Sequence, residues 1–129
     1  MPPLKHRRPL QAAAFGLAVI STLAFSGLFT RQPAPRYTVT DLGVLPGHAV
    51  SQAVAVNSRG DVVGSADPLG SGSEQAYLYQ GGKMQDLNNL ISKDADWTLE
   101  DASGINDRGQ IVGWGLHDGQ QRGFLLTPR

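Results

Sequence analysis

The chain has no cysteine. Disulfides, thiolate zinc sites, cysteine nucleophiles and a lipid-modified N-terminal cysteine are therefore excluded. Histidine is scarce: His6, His48 and His117 stand far apart, with no two at metal-ligand spacing, and the last two flank Pro-Gly and Asp-Gly turns as solvated loop residues would. A Gly-x-Ser-x-Gly nucleophile elbow is missing. Gly70-Ser-Gly72 has no helical pattern after it and makes a poor phosphate cradle. Residues 1–36 contain no acidic side chain but hold Lys5, Arg7, Arg8, Arg31 and Arg36. All 11 Asp and Glu fall in residues 37–129 beside six basic side chains, so that region carries about −5 and repels a nucleic-acid backbone.

Long apolar runs are missing too, with one exception. Lys5-His-Arg-Arg8 precedes an uncharged stretch from Ala12 to Phe29. As a helix it would span about 27 Å, close to the hydrocarbon core of a bilayer. A basic start before an apolar core is also the plan of a secretory signal peptide, and Ala24-Phe25-Ser26 offers small residues for cleavage. Residues 1–29 are thus expected to be either a signal peptide or a single-span anchor through residues 12–29. Either places the C-terminal region outside the cytoplasm, as an anchored, secreted or periplasmic domain. Residues 30–36 form a Pro-containing linker, and residues 37–129 form the domain.

That domain repeats itself. Ala53–Gly64 reads AVAVNSRGDVVG and Ala102–Gly113 reads ASGINDRGQIVG. Ala76-Tyr-Leu-Tyr79 comes after the first copy and Gly123-Phe-Leu-Leu126 after the second. Repetition at this period signals stacked supersecondary units. β-Branched and aromatic runs between turn residues predict strands over Tyr37–Leu42, Gln52–Val56, Asp61–Ala66, Gln75–Gln80, Lys83–Leu87, Ala102–Ile105, Gln110–His117 and Gln121–Thr127. Asn57-Ser-Arg-Gly60 and Asn106-Asp-Arg-Gly109 read as hairpin loops, the asparagine capping its own turn and the glycine taking positive φ. Gly81-Gly82 and Asp118-Gly119 read as two-residue turns. Gly64 and Gly113, inside strand patterns, predict a bulge or a close backbone approach. Asn88–Glu100 interrupts the pattern, with a helical turn over Asn88–Ser92 and Trp97 folded back over the sheet. Apolar residues on both faces of the strands predict sheets covered on both sides.

The expected fold is all-β: antiparallel units like β-propeller blades, about two four-stranded units permuted by one strand, after the N-terminal apolar helix. Asp41-Leu42 and Asp86-Leu87 each close a fourth strand in this reading. The strings AVAVNSRGDVVG, AYLYQGGKMQDL, ASGINDRGQIVGWG and GFLLTP resemble the HAF repeat family, probable extracellular repeats of bacteria. The resemblance covers Tyr37–Pro128 and implies export and a propeller-like β architecture, with no activity and no catalytic residues to carry over. Asn88 departs from it, standing where the family has glycine after Asp-Leu.

Function is expected to be interaction rather than catalysis. No catalytic, cofactor-binding or metal residue is predicted, and no cofactor. The leading reading is a surface or periplasmic module that binds a protein or glycan through the loops Asp67–Ser73 and Asn88–Glu100. A self-associating envelope scaffold is the alternative, because unpaired sheet edges invite pairing. A hydrolase acting on extracellular carbohydrate is weaker, since nothing places two carboxylates together on adjacent strands. Tyr77, Tyr79, Trp97 and Trp114 would suit a carbohydrate or peptide groove, or equally a core. Asp94, Asp96, Glu100 and Asp101 form an acidic cluster without the order of a calcium loop, and the arginine in each Asn-x-x-Gly loop disfavours a dication.

Overall fold

The computed structural model describes residues 33–69 and 73–129. The apolar run 12–29, His6 and Gly70-Ser-Gly72 lie outside these residues, and so does the choice between anchor and signal peptide. The chain divides into two compact units, residues 1–39 and 40–129. Of the first, residues 33–39 contain neither helix nor strand. Among the described residues no helix is long and apolar enough to cross a membrane.

The second unit is all-β. Its strands are β1 (Val50–Val56), β2 (Val62–Asp67), β3 (Gln75–Gln80), β4 (Lys83–Asp86), β5 (Trp97–Ile105), β6 (Ile111–His117) and β7 (Gln120–Leu126). Two antiparallel sheets result, ordered β1-β2-β3-β4 and β5-β6-β7. Neither a barrel nor a propeller closes among the described residues.

The repeat dictates this layout. Val62 pairs with Tyr79 in the first sheet as Ile111 pairs with Leu126 in the second. In each unit the first strand carries one surplus residue opposite the predicted glycine. Val54 is extruded between Ala53, which pairs with Gly64, and Ala55. Ser103 is extruded between Ala102, which pairs with Gly113, and Gly104. A Cβ on Gly64 would strike the Gln52 carbonyl, and one on Gly113 would strike the Asp101 carbonyl and lie 2.8 Å from the Phe124 ring. Both parts of the expectation hold: the partner strand bulges, and its backbone passes where a side chain would stand.

The turns form as their residues require. Gly81 and Gly82 have φ of 61° and 80°, and Asp118 and Gly119 have 52° and 77°. Two successive positive values are the geometry that matches the twist of a two-residue hairpin.

Three expectations fail. Tyr37–Leu42 is not a strand, despite its composition. A strand exists through its ladder partner, and among the described residues this segment is paired in no ladder. The interruption before the second unit is shorter than Asn88–Glu100. After 3-10 turns at Leu87–Asn89 and Lys93–Ala95, β5 begins at Trp97 rather than Ala102. A second bulge, at Glu100, carries β5 past the irregular pattern that masked it. Finally, double-sided burial holds for β2 but not for the edge strands β1 and β7, which are largely exposed.

The main core lies between the sheets. One face of the first sheet contributes Val63, Ala76, Ala55 and Leu78. One face of the second contributes Leu99, Ala102, Ile105, Ile111, Phe124 and Leu126, and Leu87 closes the layer. A smaller cluster on the far face of the first sheet packs Leu45, Ala66 and Tyr77, with Tyr79 and Met84 against them. The Tyr77 hydroxyl donates to the Gln52 carbonyl at 3.0 Å, so the ring is buried with its polar tip satisfied. Burial raises the Tyr77 pKa above the ordinary phenol value.

Candidate functional site

The two Asn-x-x-Gly loops are built alike. Asn57 Oδ1 accepts the backbone N–H groups of Arg59 and Asp61, each at 3.0 Å. Asn106 Oδ1 accepts those of Arg108 and Gln110 at 3.0 and 2.9 Å. Gly60 and Gly109 close the loops at φ of 86° and 80°, as expected of left-handed glycine. In each case the asparagine backbone also pairs with the residue four ahead and with its glycine.

Packing of the sheets brings these loops side by side, 49 residues apart in sequence. Asn57 Nδ2 donates to the Asn106 carbonyl at 3.0 Å, and the Ser58 N–H donates to Asp107 Oδ1 at 2.8 Å. The Ser58 backbone bond first, then the Ser58 side chain, with the nearby Arg59 charge as a smaller cause, hold the exposed Asp107 carboxyl below the usual carboxylate range.

Beside the joined loops a groove of about 490 Å³ opens between the sheets. Its floor is aliphatic: Leu78, Leu87, Ile91, Ile105, Ile111 and Leu126. Arg59 and Arg108, the same position of the two repeats, stand at its rim with Pro128 and Arg129. The two arginines are not electrostatically equivalent. Arg59 Nε lies 3.5 Å from the buried Asp61 carboxylate, which also accepts Asn57 Nδ2 at 3.0 Å. The second repeat has Gln110 where the first has Asp61. Arg108 therefore bonds a neutral amide, at 3.3 Å, and among the described residues it makes no ion pair. The groove is thus an apolar slot with a net positive lip at the Arg108 end.

The sequence-predicted candidates are not gathered here. Tyr77 and Tyr79 pack in the far-side cluster. Trp97 stacks on His117, with ring centroids 4.8 Å apart, and meets Phe124 edge-on. Trp114 is half-buried on β6, so the four aromatics share no groove. The Asp67–Ser73 loop is described only at its ends. In the Asn88–Glu100 segment, Asn88 is a structural clamp: its Nδ2 donates to the Leu99 carbonyl at 2.9 Å and its Oδ1 accepts the Leu99 N–H at 2.7 Å. Asp94 lies in the 3-10 turn Lys93–Ala95 and Asp96 caps it, while Glu100 and Asp101 are on β5. Among the described residues no three His, Asp or Glu side chains converge where they could hold a metal. His48 is half-buried, not solvated: its Nδ1 is 3.0 Å from the Pro46 carbonyl and its Nε2 is enclosed.

The arginine rim is not evident from sequence alone, although its signal is present. An arginine recurs in both loops, and within a single loop it argues only against calcium. That the loops abut, and so pool their arginines, depends on the stacking of the sheets.

In comparison with known proteins, no family model matches the chain, and no curated protein or solved structure is significantly similar to it.

Proposed function

We propose that this chain is an exported, non-catalytic β-repeat module that binds a partner in the groove between its sheets. In this reading the sheets are successive blade-like units of a permuted array, and the basic, apolar N-terminal segment delivers them across the membrane, as anchor or as cleaved leader. The resemblance to HAF repeats supports export. The observation that carries the binding role is an aliphatic slot whose lip bears Arg108, a cation paired only to an amide.

An occupant that matches is an extended segment with aliphatic side chains next to a carboxylate, such as a Leu- or Ile-containing acidic peptide. Aliphatic groups fill the floor, and the carboxylate takes a charge-assisted pair with Arg108. Screening the full chain against an array of such peptides tests this. Arg108→Gln is expected to weaken binding roughly tenfold to a hundredfold, the worth of one charged hydrogen bond. Arg59→Gln is expected to cost less, because Asp61 already neutralises Arg59. Binding that is indifferent to Arg108, or confined to neutral glycans, would remove this reading.

A further inference from the structure

The two sheets stack front to back, and each outer face of the stack carries exposed apolar residues at positions whose repeat copies are buried between the sheets. The front of the first sheet, with Val63 and Leu78, is covered by the back of the second, with Ala102, Ile105 and Ile111. By the repeat, Val112 and Leu125 are the second sheet's copies of Val63 and Leu78. Val63 is 0% exposed, whereas Val112 and Leu125 are 45% and 59% exposed. Likewise Ala53, Val56 and Val62 are the first sheet's copies of Ala102, Ile105 and Ile111. Ala102 and Ile111 are buried, yet Ala53 is exposed and Val56 is 63% exposed. Each molecule therefore carries an uncovered front on its second sheet and, on its first, a back that is covered only in part, where Leu45 packs on Ala66 and Tyr77, the copy of Phe124.

A third feature falls into the same relation. The second sheet has three strands, and β7 presents an edge without a neighbour among the described residues. Tyr37–Leu42 carries the closing pattern of β4. Asp41 Oδ1 accepts the Gly43 N–H at 2.9 Å, just as Asp86 Oδ1 accepts the Asn88 N–H at 2.9 Å. The next residues also correspond. Asn88 clamps Leu99, and the Gly43 carbonyl accepts the Ser51 hydroxyl at 2.7 Å; Ser51 faces Ala66 as Leu99 faces Gly115. Yet Tyr37 and Val39 are 86% and 92% exposed.

We propose that a second copy of this chain docks its first sheet on the front of the second sheet and donates Tyr37–Leu42 as the fourth strand beside β7. One interface then covers the exposed front of the second sheet, the exposed part of the first sheet's back around Ala53 and Val56, and the free edge of β7. Copying the β3–β4 register, in which Tyr79 faces Met84 and Tyr77 faces Asp86, sets Val39 opposite Leu126 and Asp41 opposite Phe124 of the neighbour. The contact is head-to-tail, so repeating it gives a ring if the rotation closes. Propellers of four to eight blades correspond to roughly two to four copies with two units each. Burying the donor strand also removes the exposed edge, which is otherwise a template for uncontrolled pairing.

The chain has no native cysteine, which makes the register directly testable. Full-length Val39→Cys and Leu126→Cys variants, each unable to form the link alone, are mixed under oxidising conditions. A mixed disulfide is expected with Leu126→Cys and its loss with Gln121→Cys, at the far end of β7. Light scattering of the full chain in mild detergent should give a discrete multiple of one copy. Leu125→Glu, at a position already exposed in one copy, should reduce that mass to a single chain while leaving the circular dichroism unchanged. A single-copy mass for the unsubstituted chain, equal linkage to both β7 cysteines, or a Val39→Cys/Leu126→Cys double variant that closes within one chain would each overturn the proposal.

Discussion

Replacing Asn57 or Asn106 by alanine deletes the same side chain from the two repeats, and the outcomes should differ. Asn57 makes four bonds: two from backbone N–H groups, one to Asp61 and one across to the Asn106 carbonyl. Two of these involve the buried Asp61, which water does not re-solvate when Asn57 is lost. Asn106 makes three, all within its own exposed loop, where water replaces them readily. A net hydrogen bond contributes about 0.5–1.5 kcal/mol, and a buried group left unpaired costs about 1–3 kcal/mol. Asn57→Ala is therefore expected to cost about 2–3 kcal/mol and Asn106→Ala about 1 kcal/mol. In a domain of this size those costs lower Tm by roughly 10–20 °C and 5 °C. Urea and thermal unfolding of the full chain, monitored by circular dichroism, reads both. A cost for Asn106→Ala equal to or above that for Asn57→Ala would refute the idea that the first loop is the keystone between the sheets.

Two further outcomes rest on the same contacts. Gly113→Ala forces a Cβ into the Asp101 backbone and the Phe124 ring, neither of which can yield freely, and should destabilise by about 1–3 kcal/mol in urea melts. Asp107 has its folded pKa lowered by the Ser58 N–H, so the stability it contributes is fully present above its ordinary value of 3.8 and disappears as pH falls through the folded value. Asp107→Asn should remove that acid-side component, leaving a flatter stability profile below pH 3.8 when melts are compared across acidic pH.

Hairpins, glycine-bearing turns and both bulges are legible in the sequence because each rests on local chemistry: positive φ at Gly81-Gly82, the self-capping asparagine, the glycine facing a surplus residue. The failures share a different cause. Tyr37–Leu42 has strand composition, but whether it is a strand depends on what lies beside it. Trp97 opens β5 because Asn88 clamps Leu99 from outside the strand, a contact between residues 11 apart that no periodicity announces. The arginine groove is hidden for the same reason, since pooling Arg59 with Arg108 requires the sheets to stack.

The repeat permits a sharper statement. Val63 and Val112 occupy the same position of the same cassette, with the same residue type, and one is fully buried while the other is 45% exposed. Sequence composition therefore cannot be what decides their burial; the presence of a following sheet decides it. The second sheet's front keeps the apolar pattern that the first sheet buries, with Val112 and Leu125 at the positions of Val63 and Leu78. Burying a side chain of this size is worth about 1.5–3 kcal/mol, so Val112, Leu125, Val56 and the Tyr37–Leu42 segment together represent a substantial unrealised driving force. Isolated surface hydrophobes need no explanation, but ones that copy buried positions one for one do. In the proposed assembly the back of a neighbouring copy's first sheet supplies that cover, so the exposure of Val112 and Leu125 should fall together when copies associate, and that of Val112 should return in Leu125→Glu.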